Sequence, residues 1–313
     1  MKFGRQTTLR SPAILSGIGV HSNAPVTIIL HPADADTGIV FHRTGLANKV
    51  ERTIAAHWSQ VTMTELCTVI GDGKAAGVAT IEHLLAAFLG LGIDNAIVEI
   101  NGPEVPIMDG SAAAFVDLID EAGVETLSAP CRYVRVVRPV RIESGQGFCE
   151  LRPAASPRAD GLSLDVEIDF SSQAIGRQKK AVSLAPSVFR REVARARTFG
   201  FLADVERLWQ AGFALGASLD NTVALQDDRV VNPEGLRFAD EFVRHKLLDA
   251  VGDLALAGRR IIGAFRSYCG GHRMNVAVLR ALFADPSAFE YVDAVALRPQ
   301  VPHAESPAAW ISA

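Results

Sequence analysis

The chain has no closely spaced cysteine pair, no long apolar run and no strong excess of either charge, and each absence narrows what it can be. Its four cysteines, Cys67, Cys131, Cys149 and Cys269, stand far apart without a CxxC motif. That argues against a cysteine zinc site and a disulfide framework, and reads as reduced thiols. The longest apolar stretch, Leu84 to Ile93, is far too short to span a bilayer, and the first ten residues lack the apolar core of a secretory signal. A formal charge of −4 and a pI near 6.1 leave no electrostatic footprint for nucleic acid; the densest basic patch is Arg190 to Arg197. The expectation is a cytoplasmic monomer acting on a small molecule, with no nucleic-acid partner and no integral membrane segment.

What is present is a large apolar complement: 49% of 313 residues are hydrophobic, enough for a substantial core and two domains. Short β-type segments at 26–30, 38–41 and 67–70 precede a helical stretch at 80–90, with Thr80 as its expected cap and Gly90 or Gly92 as its end. A strand at 95–100 and a helix at 112–121, capped by Ser111, follow. The composition of 123–130 suggests a linker. The second half repeats the plan, with strands at 133–140, 147–151 and 162–170, a helical region at 189–208, a helix at 240–257 ending at Gly258, a strand at 260–268, a turn at 269–272 and a helix at 274–283. Both halves therefore run strands, histidine-bearing helix, glycine, strand, turn, helix, a weak internal duplication. The predicted fold class is α+β, with two similar domains, 1–126 and 127–300, and a Pro/Ala-rich tail at 301–313.

The chemistry concentrates in the two repeated helices. In the segment from Glu241 to Leu254, His245, Asp249 and Asp253 recur every fourth residue and share one face with Lys246, while Val243, Leu247, Leu248, Val251 and Leu254 fill most of the rest. An imidazole and a carboxylate one turn apart can bind one divalent cation; the competing reading is a solvated charged face. The first helix is apolar nearly all round except for Glu82 and His83. A buried unpaired carboxylate is costly, so the pair needs a reason. A histidine ligand with an adjacent general base supplies one; a hydrogen-bonded core histidine is the alternative. Three ligands from two helices would leave the fourth position of a tetrahedral zinc open for water, as in catalytic sites. His272, in a Gly-Gly-His turn, could return beside the metal-type helix as a second proton carrier.

Six motifs in order, Thr80-Ile-Glu82-His83-Leu84, Gly92-Ile-Asp-Asn95, Pro106-Ile-Met-Asp109-Gly-Ser111-Ala, Ala196-Arg-Thr198-Phe199-Gly200, Phe242-Val-Arg-His245-Lys246-Leu-Leu-Asp249 and Gly271-His272-Arg-Met-Asn275, resemble the LpxC family. The resemblance runs from about Thr8 to about Tyr291. It implies zinc-dependent deacetylation of UDP-3-O-acyl-N-acetylglucosamine in lipid A biosynthesis, on two βααβ sandwich domains whose helices pack together between the sheets. It also implies His83, His245 and Asp249 as ligands of Zn2+, with Fe2+ as the alternative in vivo. Glu82 would be the general base, His272 the general acid, Asp253 its orienting partner, Thr198 an oxyanion donor and Lys246 a substrate contact. Phe199, Leu202, Val205, Ala214 and Leu219 would line an acyl passage, and Phe170 would stack on uracil. The chain departs from the family pattern at Asn23, at Ser171 after Phe170, and at Cys269, where a lysine suited to phosphate is found in relatives; Arg266 or Lys246 would then hold the diphosphate.

Two rival readings use the same residues. Two histidines and a carboxylate also describe a non-haem Fe(II) oxygenase, which needs oxygen. A non-catalytic binding protein for an acylated sugar nucleotide would leave its ligand unchanged, and Glu82 beside a ligand histidine argues against it.

Overall fold

A computed structural model describes residues 4–46, 51–72, 76–156 and 161–294 of the chain. The architecture is α+β, built on two sheets that share one strand plan. The first sheet runs in the order Ala13–Ile18, Pro25–His31, Ala96–Ile100, Ile39–Arg43, Arg52–Ala55. In the second, Val140–Ser144, Gly147–Arg152, Arg260–Tyr268, Leu162–Asp169 and Arg177–Ser183 occupy the same five places. In each sheet the strand after the histidine-bearing helix is central, antiparallel to one neighbour and parallel to the other. The likeness extends outward. Arg5–Leu9 pairs antiparallel with Val124–Pro130 at the ends of the first unit, as Arg132–Val136 does with Phe289–Asp293 at the ends of the second.

Strand alternation explains how each sheet finds its core. Pro25–His31 and Leu162–Asp169 bury every other residue, so Val26, Ile28 and Leu30, and Leu162, Leu164, Val166 and Ile168, face inward. Four helices cover these faces: α1 (Glu82–Leu91), α2 (Ala113–Ala122), and, after a one-and-a-half-turn α3 (Val205–Gln210), α4 (Glu241–Ala255) and α5 (His272–Ala284). Every residue of α1 except Leu89 is buried, which is why its sequence carries no polar face. Gly92, at φ 75°, ends α1 in the left-handed conformation, as Gly258, at φ 71°, lies just past the end of α4.

The helices α1 and α4 pack against each other so closely that a Cβ on Gly252 would lie 2.0 Å from the Glu82 carbonyl oxygen. Glycine at 252 is therefore what allows the metal-type helix to reach the Glu82-His83 pair.

Several expected details differ. The expected linker at 123–130 is the strand Val124–Pro130, recruited because the edge of Arg5–Leu9 offers it hydrogen-bond partners. The region 189–208 is not one helix but a π turn at Phe189–Val193, a strand at Phe199–Phe201, a 3-10 turn at Leu202–Asp204 and α3. Its helix is interrupted where Arg197 turns inward to a buried ion pair with Glu241, Nε to Oε1 2.9 Å, and Phe199–Phe201 pairs parallel with Val223–Gln226. Thr80 does not cap α1; it sits at φ 55° and donates its hydroxyl to Glu104 at 2.8 Å. Ser111 does accept the Ala113 N–H, at 3.1 Å. His272 opens α5 rather than ending a turn. The tail at 301–313 lies outside the described residues.

Candidate metal centre

The geometry at the start of α1 and the middle of α4 is set by burial. His83, His245 and Asp249 are all buried, and one ligand atom from each lies within 4.8 Å of the other two. Asp249 Oδ1 stands 3.3 Å from His245 Nε2 and 3.6 Å from His83 Nε2, and it has no hydrogen-bond partner among the described residues. A buried carboxylate oxygen left without a proton donor yet facing two imidazole nitrogens fits a shared divalent cation. His245 is oriented for this role because its Nδ1 donates to the Ala196 carbonyl at 3.1 Å, which leaves Nε2 as the lone-pair nitrogen. Burial drives its pKa down to about 3, against the opposing pull of Asp249. Burial alone would raise Asp249, but His245 and Lys246 outweigh it and hold it well below the carboxylate range. Lys246 Nζ donates to the other Asp249 oxygen at 2.9 Å and lies 5.5 Å from the Phe199 ring centre.

Two further buried titratable groups, Glu82 and His272, flank this triad. Glu82 is buried, and desolvation raises its pKa above the usual value even with His272 and His83 nearby. His272 Nε2 lies 3.9 Å from Glu82 Oε1, while its Nδ1 donates to Asp253 Oδ2 at 2.9 Å. Burial would lower the His272 pKa, yet the carboxylates of Asp253 and Glu82 prevail and raise it to about 10. Both groups therefore hold a proton more readily than they would when exposed, Glu82 as a carboxyl and His272 as an imidazole.

These groups line a cavity of about 450 Å³. Its wall includes Glu82, His83, Thr198, His245, Lys246, Asp249 and His272, and then turns apolar along Phe199, Leu202, Val205, Ala214 and Leu219. The structure thus gathers all but two of the expected site residues onto one wall. Asp253 lies behind His272, holding its ring. Phe170 is outside the cavity, its ring packed edge-on against Phe199 at 5.7 Å between centroids. Of the two cations expected at the diphosphate, Lys246 lines the cavity, whereas Arg266 pairs with Asp165 at 3.7 Å. In the basic patch at 190–197, ion pairs engage Arg190 with Asp120 at 2.5 Å, Arg191 with Glu192 at 2.8 Å and Arg197 with Glu241.

The sequence reading missed Thr68 and the Ala196 carbonyl. Asn275, quoted only as part of a motif, donates to Asp253 Oδ2 at 2.9 Å. Thr68 lay inside an apolar segment where threonine is an ordinary strand residue, and a backbone carbonyl carries no sequence signal at all.

A buried His-His-Asp cluster on a largely apolar cavity, with a buried carboxylate and an imidazole beside it, fits the class of metal-dependent hydrolases. Comparison with known proteins narrows that class. Residues 6–284 match the LpxC family, described as UDP-3-O-acyl N-acetylglycosamine deacetylase, and the chain belongs to it. Relatives from Brucella ovis, Brucella canis and Brucella melitensis biotype 2, each named UDP-3-O-acyl-N-acetylglucosamine deacetylase, are 52% identical over 290 residues. That alignment spans 92% of this chain and 99% of each relative.

Proposed function

We propose that this chain hydrolyses the acetamide of UDP-3-O-acyl-N-acetylglucosamine, releasing acetate and UDP-3-O-acyl-glucosamine, an early step of lipid A biosynthesis. One observation carries the reading: the His83, His245 and Asp249 cluster, with Glu82 and His272 beside it, lines a cavity that is otherwise largely apolar. A cation held by those three residues, Zn2+ by its donor set, would polarise the acetamide carbonyl and lower the pKa of water at the site.

Amide hydrolysis needs a stronger nucleophile than water and a proton for the departing amine. Glu82, whose burial makes it a better base than an exposed carboxylate, takes the proton of the attacking water. His272 gives its Nε2 proton to the amine, with Asp253 fixing the ring through Nδ1. Thr198 lines the same cavity and its hydroxyl stabilises the oxyanion, and Lys246 meets the substrate while holding Asp249. The acyl chain lies along Phe199, Leu202, Val205, Ala214 and Leu219, and Phe170 serves the nucleotide end beside Phe199. The chain acts as two domains, one for each copy of the strand plan, meeting just after the strand Val124–Pro130, in a cytoplasmic monomer. No helix among the described residues is long and apolar enough to cross a membrane.

The test is acetate release from UDP-3-O-acyl-N-acetylglucosamine by purified, metal-loaded protein under exclusion of oxygen. Glu82→Gln should retain one cation per chain and lose on the order of 10²-fold or more in kcat. Absence of acetate from fully loaded wild-type protein would refute the reading.

A further inference from the structure

We propose that Thr68 is a positioning residue that holds the base and the acid in register. The inference rests on the deacetylase reading above and adds a part that the site motifs do not contain. Thr68 is completely buried. Its backbone N–H donates to Glu82 Oε2 at 3.1 Å, and its hydroxyl donates to Asp253 Oδ1 at 2.6 Å. A single residue therefore touches the carboxylate of the base and the carboxylate that orients the acid.

The fold makes this junction necessary. Glu82 lies on α1 and Asp253 on α4, which belong to different copies of the strand plan, so no local hydrogen bond fixes one against the other. Thr68 comes from a third element, the segment between Arg52–Ala55 and α1, and its carbonyl meets the Ile81 N–H at 3.5 Å. The backbone donor occupies Glu82 Oε2, and Oε1 is the oxygen that faces His272. The hydroxyl and the Asn275 amide hold the two oxygens of Asp253, and Asp253 Oδ2 in turn receives His272 Nδ1–H. Rotation of either carboxylate would change the 3.9 Å separation of Glu82 and His272, and with it the placement of base relative to acid. Small misplacements of this kind are costly to chemistry and cheap for binding. Thr68 itself does not line the cavity, so it acts through Asp253 and Glu82 rather than on substrate.

The hydroxyl can be removed at nearly constant volume in Thr68→Val and retained in Thr68→Ser. Both keep the backbone N–H. Thr68→Val should lower kcat about 10- to 100-fold with KM within about twofold and one cation per chain retained, and Thr68→Ser should recover to within about threefold of wild type. In a double-mutant cycle, Thr68→Val should cost little further once His272→Ala is present, because the hydroxyl works through that imidazole. Wild-type kcat in Thr68→Val, equal losses in the valine and serine variants, or full additivity with His272→Ala would each overturn the proposal. Should the valine variant fold poorly, the serine variant still decides: a large kcat loss with the hydroxyl present would reject it. Wild-type protein without deacetylase activity would instead reject the underlying reading.

Discussion

The two halves of the molecule share a strand plan and differ in chemistry. In the first, the histidine-bearing helix offers Glu82 and His83 in its opening turn; in the second, it offers His245, Asp249 and Asp253 on successive turns, and the next helix begins with His272. The segments leading into these helices differ too. The segment between Arg52–Ala55 and α1 delivers Thr68, whereas residues 184–240, more than twice as long, supply most of the apolar wall of the cavity. A duplicated scaffold places two helices in close contact, and divergence in the helices and insertions makes that contact a site. Neither half carries the whole cluster: Glu82 and His83 come from one, His245, Asp249 and His272 from the other.

The comparison can be broken most sharply at the ligands. If each half supplies an indispensable one, His83→Ala and His245→Ala should both abolish stoichiometric cation binding, and activity should fall to background. Metal analysis of the purified variants checks this; a variant that keeps one tight cation would show that its half is not needed for the seat. Truncation also leaves Asp249 buried with fewer partners, so the melting temperature should fall in both.

A smaller effect is expected at the contact between the halves. Gly252→Ala would push a methyl group against the Glu82 backbone, which cannot yield without separating the helices, at a cost of about 1–3 kcal/mol. In α1, Gly90 faces the ring of Phe189 at 2.3 Å from an added Cβ, so Gly90→Ala should also destabilise. The distinction is that only Gly252→Ala should weaken cation affinity, because only that contact adjoins the ligands. Equal cation affinity in the two variants, measured by chelator competition, would mean that the helix approach is not what tunes the seat.

The smallest effect belongs to the long insertion. Ala217→Phe, at the cavity wall, should reduce kcat/KM for long acyl chains by about fourfold for each methylene it displaces, leaving short-chain substrates nearly unchanged. Ala214 is a poorer probe because its φ of 55° would strain a larger side chain regardless of the ligand. An equal loss on short and long substrates would place the acyl chain elsewhere.

By itself the sequence determined the elements with strong periodicity and the residues whose cost of burial demands an explanation. The all-apolar α1 could only be a buried helix, and a carboxylate and an imidazole inside it could only be tolerated with partners. The fourfold spacing of His245, Asp249 and Asp253 fixed their common face. The repeated order of elements announced the duplication, although sequence spacing could not reveal which strands pair.

Tertiary structure decided everything that depends on residues distant in the chain. Whether His83 meets Asp249 turns on the glycine contact at Gly252, and whether His272 is an acid turns on Asp253 and Glu82 converging on it from separate helices. The insertion at 189–208 read as helical because its local composition permits a helix; the buried Arg197–Glu241 pair and the pairing with Val223–Gln226 override that preference. The roles of Thr68 and the Ala196 carbonyl were invisible for the same reason. A hydroxyl or a backbone oxygen acquires a function only from the group placed opposite it, and that placement is a property of the packed molecule, not of local sequence.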